Sequence, residues 1–131
     1  MRRTSTLAVL AILAIGLSAC GASAATQTSI VFGVGGGNMV PYSVTIEPSG
    51  AVHPHGSARV KHRQISTATV RRLRQEIQDA HLRSRECSGT LPDVGADYIR
   101  VSGRTVTVHG DCEPRFHRVW NDLAQAVGLR Y

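Results

Sequence analysis

An apolar run from Leu7 to Leu17, preceded by Arg2 and Arg3 and followed by small residues, constrains what the rest of this chain has to be. Eleven residues rising 1.5 Å each fall well short of about 30 Å of hydrocarbon, so the run does not read as a membrane span. Its charged start, apolar middle and small-residue end are the three regions of an export signal, a targeting element outside the fold. The folded part therefore forms outside the cytoplasm, where thiols oxidise. Removing the first 19 of 131 residues leaves 112, enough for one domain with an adequate but modest core.

The run ends in Leu17-Ser18-Ala19-Cys20, which resembles the lipobox of bacterial lipoproteins. The resemblance implies that residues 1–19 are a lipoprotein signal peptide and that Cys20, carrying lipid, opens the mature chain. It also implies tethering to a membrane of the bacterial cell envelope, on its extracytoplasmic side. Such proteins bear at least two chains on the cysteine, and each buried methylene contributes about 0.8 kcal/mol. Gly21 to Thr28 is small and polar, so residues 20–28 read as lipidated N-terminus and flexible linker, and residues 29–131 as a single domain. Cleavage after Ala22-Ser23-Ala24 is the alternative, and leaves a soluble secreted protein. Cysteine counting favours lipidation, because an exported protein prefers no thiol left over. With Cys20 acylated, Cys87 and Cys112 remain as a disulfide pair, 25 positions apart, and closing that loop stabilises by roughly 3 kcal/mol. No Cys-x-x-Cys is present to support a redox reading of the same pair.

Periodicity predicts a mixed α+β domain. Ser29 to Gly33 is a short β-rich run, and Tyr42, Val44 and Ile46 alternate with Ser43, Thr45 and Glu47 as in a half-buried strand. After the Pro48-Ser49-Gly50 turn, Ala51 to His55 and Ala58 to Ile65 form one interrupted strand or two short ones. Asp97 to Ser102 and Arg104 to His109 straddle Ser102-Gly103 as a hairpin, with Ile99 and Val101 facing Val106 and Val108. A first helix opens at Ser66 or Thr67 and runs to about Arg83, with Val70, Leu73, Ile77 and Ala80 along one face. A second starts near Glu113-Pro114, presents Phe116, Val119, Trp120, Leu123 and Val127, and stops at Gly128. The expected order is β-β-β-α-β-β-α: a small antiparallel sheet with both helices on one face and the disulfide pinning them to one sheet edge.

Charge is unevenly distributed. The chain carries 15 basic and 9 acidic residues, yet Arg59, Lys61, Arg63, Arg71, Arg72, Arg74, Arg83 and Arg85 share one window with only Glu76 and Asp79. In an envelope protein the partners for such a patch are anionic lipid headgroups or acidic wall polymers, with Arg71, Arg72 and Arg74 as the contact, unless this is simply a solvated helix face. Nucleic acid is not expected as a partner: it is foreign to that compartment, and no aromatic residues interleave the cations.

Gly35, Gly36, Gly37 and Asn38 form the candidate partner loop. They do not open a helix, and no Gly-Lys-Ser/Thr follows, so they do not read as a nucleotide loop. The histidines match no standard zinc module: His109, Cys112 and His117 have the ligand types to join Cys87 and His53-Pro54-His55 reads as a loop or strand end, so no metal or other cofactor is expected. Gly-x-Ser-x-Gly and His-Glu-x-x-His are absent, and Asp93, Asp97 and Asp111 are accounted for by turns, so a non-catalytic binding module is expected, with a small secreted enzyme as an alternative.

Residues 29–129 resemble small bacterial envelope domains of unassigned function, through the opening strand and glycine loop, Pro41-Tyr42-Ser43-Val44-Thr45-Ile46, the Pro-Ser-Gly turn, the first helix, Leu91-Pro92-Asp93, Tyr98-Ile99-Arg100-Val101 and Thr105-Val106-Thr107-Val108. The glycine-rich start and the order of elements are also similar to metallopeptidase inhibitors of the emfourin type. That likeness implies a protein partner, the active site of a thermolysin-like protease.

Overall fold

A computed structural model of the protein describes residues 27–130; the export signal, the lipobox and most of the linker lie outside them. Strand β1 (Ile30–Gly35) runs up the middle of a six-stranded sheet, antiparallel to β2 (Tyr42–Ile46) on one side and to β6 (Ala96–Val101) on the other. Register places Phe32 beside both Val44 and Ile99, so the alternating apolar residues of three strands share one face. Beyond β2 lies β3 (Val52–Gly56) at the sheet edge, a position that tolerates Pro54 and its missing N–H. Beyond β6 lie β7 (Arg104–His109) and then β5 (Arg85–Glu86), which pairs with β7 in parallel. Two further residues, β4 (Arg59–Val60), pair with β8 (Leu129–Arg130) in a separate ribbon.

Helices α1 (Thr67–Asp79) and α2 (Pro114–Val127) cover the apolar face, and Val70, Leu73, Ile77, Phe116, Val119, Trp120, Leu123 and Val127 join the sheet residues in one core. Phe32 is fully buried, with its ring edge-on to Trp120 at 5.6 Å between centroids. Helix α1 is capped by Ser66, whose Oγ accepts from the Thr69 N–H at 3.0 Å; α2 has proline in its first turn and ends at Gly128 with φ 61°. The opposite face of the sheet carries Ser43, Thr45, His53, His55, Arg100 and Thr105 and is open, as antiparallel sheets allow.

The α+β class, the two helices and the Cys87–Cys112 disulfide match the expectation, and the disulfide joins the edge next to β5 to the lead-in of α2. Several details differ. The first helix ends at Asp79 and not near Arg83: His81 adopts φ 47°, which drives Leu82 into the core, where Arg104 Nη2 donates to its carbonyl at 2.6 Å. Released from the helix, Ser84 accepts from the Thr107 N–H at 3.0 Å and the chain continues as β5. The region after the Pro-Ser-Gly turn takes the second of its two expected forms, two short strands broken at Gly56, but the later one is confined to Arg59–Val60. In the hairpin, Ile99 faces Val106 as expected, but Val101 faces Arg104 and Val108 faces Asp97.

Strand β1 also extends past Gly33, which is a packing residue and not part of the loop. A Cβ at Gly33 would stand 2.1 Å from the Tyr42 carbonyl oxygen, so this close approach of two backbones requires glycine.

Candidate functional site

The direction of β1 distinguishes two ends of the molecule. At its start, the Ser102 N–H donates to Thr28 Oγ1 at 3.0 Å, which fastens the linker to the β6–β7 turn. Helix α1 is fixed at this same end at both of its termini, because the Ile65 N–H donates to the Gly50 carbonyl and Arg104 binds Leu82. At the far end of β1 lie the glycine loop and the segment Leu91–Gly95.

These two loops are built against each other. The Asn38 N–H donates to the Asp93 carbonyl at 2.9 Å, and a Cβ at Gly37 would come within 2.4 Å of that same oxygen. Met39 lies over Gly95, where an added Cβ would meet its sulfur at 2.2 Å. Gly35 closes β1 opposite Ala96, while Gly36, Gly37 and Asn38 are exposed. The large exposed apolar side chains of the described residues, Met39, Val40, Leu91 and Val94, all fall in this loop pair, and Val40 and Leu91 are 69% and 64% exposed. Open depressions of about 320 and 440 Å³ flank it, both lined by Met39. These four side chains thus share one pair of hydrogen-bonded loops.

Asp97 and His117 meet in the larger depression, with His117 Nδ1 3.7 Å from Asp97 Oδ2, and His117 Nε2 3.1 Å from the Gly110 carbonyl and 3.5 Å from Asp111 Oδ1. Asp97 is a strand residue, not a turn residue as expected from the sequence; it stands on the helix-facing side opposite Val34 and Val108, and burial raises its pKa, opposed by His117. The pair can hold and pass a proton, yet no serine, threonine, cysteine or lysine lines the depression with them. No sequence signal connected these residues, which are 20 positions apart on different elements.

His109 braces the second loop. Its Nε2 faces the Val94 carbonyl at 2.8 Å and its Nδ1 contacts Glu86 Oε1, so both ring nitrogens face acceptors and the doubly protonated ring is favoured. The bond to Glu86 is the main cause of its raised pKa. A raised histidine pKa makes this brace fully present below about 6.5 and weaker as pH rises through the folded value. Both sulfurs of Cys87 and Cys112 are spent in the disulfide, so they are unavailable as metal ligands to join His109 and His117. Among the described residues no three histidine, cysteine or acidic side chains are grouped to hold a metal ion.

The basic triad divides at the linker end. Arg71 is exposed, Arg72 pairs with Glu76 one turn on, and Arg74 is half-buried against a cavity with two guanidinium nitrogens lacking acceptors. Burial lowers the Arg74 pKa. Of the triad, Arg71 and Arg72 thus face solvent and Arg74 does so only in part. In protein carrying Cys20→Ala to remove the acylation site, reversing both charges (Arg71→Glu, Arg72→Glu) is expected to weaken binding to anionic vesicles at least about tenfold at low salt. Unchanged vesicle binding removes headgroup contact from the account.

No helix among the described residues is long and apolar enough to cross a membrane. Set against models of protein families, curated proteins and solved structures, the chain finds no match in any of the three.

Proposed function

We propose that the protein is a membrane-anchored extracytoplasmic lipoprotein whose folded domain is a non-catalytic binding module, with the paired loops 36–41 and 91–95 as its contact surface for a protein partner. The observation that carries this reading is the gathering of Met39, Val40, Leu91 and Val94 at the sheet end opposite the linker. An anchor at one end and an apolar projection at the other present the loops away from the membrane. The disulfide supports the anchor, since it uses two of three cysteines and leaves Cys20 for other chemistry. A photo-crosslinking residue at Val40 in the native envelope is expected to give one discrete protein adduct that disappears with Leu91→Asp. The same label at His55, on the open sheet face, serves as the control. Equal labelling from both positions, or none from Val40, contradicts the proposal.

The exposed Gly36, Gly37 and Asn38 at the tip favour a second reading, inhibition of an extracellular metallopeptidase. It predicts loss of thermolysin-like activity at micromolar excess of the domain, and full residual activity removes it.

A further inference from the structure

At the linker end, a cavity of about 290 Å³ opens between the last turns of α1 and the β6–β7 hairpin. Ile77, Leu82, Ile99, Val101 and Val106 form its apolar wall, and Arg74 and Arg104 stand beside them. The two arginines differ in state. Arg104 Nη2 is engaged with the Leu82 carbonyl, whereas Arg74 Nε and Nη2 are shut off from solvent without an acceptor.

Those two nitrogens form one edge of the guanidinium, the fork that takes a carboxylate or phosphate side-on through two parallel hydrogen bonds. A buried cationic donor without an acceptor is unfavourable and rare in native proteins. Arg74 has no need to be held this way for helix formation, since Gln or Met at the same position is an equally good helix former. Arg74 lines the cavity, and its Nε and Nη2 find no acceptor among the described residues. An oxyanion satisfies both of these donors at once, and the apolar wall beside them suits an alkyl chain attached to it. The volume lies just below the range typical of small-ligand pockets, which limits the occupant to one short chain.

We propose that this cavity binds a single short acyl chain ending in an oxyanion, carboxylate or phosphate, with Arg74 as the head-group ligand. Rotation about the last side-chain bonds of Arg74 brings the fork edge round to the ligand head, and the chain lies against Ile99, Val101 and Val106. The site is separate from the loop surface, and it rests on the cavity and the fork alone, so it stands whether or not Cys20 carries lipid.

The test is calorimetric titration of the full exported chain carrying Cys20→Ala, so that no acyl anchor of its own competes. Decanoate and decyl phosphate are the ligands; decanol and inorganic phosphate are the controls. The expected result is a Kd on the order of 100 µM or tighter for at least one of the two anionic amphiphiles. Decanol and phosphate are each expected to bind at least tenfold more weakly. Preference for decanoate identifies a fatty-acid source, and preference for decyl phosphate a phospholipid source. Arg74→Gln is expected to lose at least tenfold in affinity for the preferred ligand without lowering the melting temperature. Val101→Phe, which fills the cavity and keeps Arg74, is expected to lose the same binding. Equal affinity for decanol, binding of phosphate alone, no binding at 1 mM, or full affinity in Arg74→Gln overturns the proposal.

Discussion

Replacing both Cys87 and Cys112 by alanine is expected to destabilise the domain by about 3 kcal/mol and to lower its melting temperature by roughly 15 °C. The reason lies in both states of the chain. Unfolded, the protein loses a constraint on a loop of 25 positions; folded, it loses the tie between the outermost strand and the start of α2. Strand β5 has only two residues and one sheet neighbour, and besides the disulfide it is held to β7 by that short ladder, the Thr107–Ser84 bond and the His109–Glu86 contact. The corner is tightly built. Cys87 is buried, the Cys112 N–H points at its sulfur at 3.1 Å, and a Cβ on Gly110 would come within 2.8 Å of the Cys87 Cβ. Thermal unfolding followed by circular dichroism checks this, and a shift below 3 °C contradicts a structural role for the bond. Because His117 sits five residues beyond Cys112 and bonds the Gly110 carbonyl, loosening the corner also releases the Asp97–His117 contact.

Phe32→Ala is expected to cost about 4 kcal/mol, a large part of the 5–15 kcal/mol a domain typically possesses. Phe32 has no solvent exposure, stands at the centre of the sheet between Val44 and Ile99, and meets Trp120 from α2. Its removal leaves a cavity where the sheet and a helix meet, with no neighbouring strand free to collapse into it. Phe32→Leu keeps most of the volume and is expected to cost about 1 kcal/mol. Denaturant titration distinguishes the two. A loss below 2 kcal/mol for the alanine variant contradicts the central placement of β1, and with it the two-ended arrangement of linker and loops.

How much of this could be read from the chain depended on the range of the interaction. Local signals were sufficient for the strand with Tyr42, Val44 and Ile46, for the hairpin around Ser102-Gly103, and for the second helix between Pro114 and Gly128. They failed where distant partners decide. The two-residue strands Arg85–Glu86 and Leu129–Arg130 carry no period and exist only through pairing with β7 and β4. The helix bearing the arginines stops early because Leu82 gains burial and Arg104 gains a carbonyl, neither visible in helical spacing. At the candidate site the glycine loop was legible as an exposed connection between the first two strands. That Leu91 and Val94 complete it was not, since the bond from Asn38 to Asp93 spans 55 positions. The arginine triad read as one patch, and only the packing of α1 against the hairpin separates Arg74 from Arg71 and Arg72.

The account depends most on the state of the three cysteines in the exported protein, and the intact mass of protein purified from its native membrane, with and without reduction and alkylation, tests it directly. The predicted result is a chain beginning at Cys20 and carrying acyl groups, with two further alkylatable thiols appearing only after reduction. A soluble, unacylated chain beginning at Ala25 contradicts the anchored module, and free thiols at Cys87 and Cys112 before reduction contradict the disulfide on which the fold of that module rests.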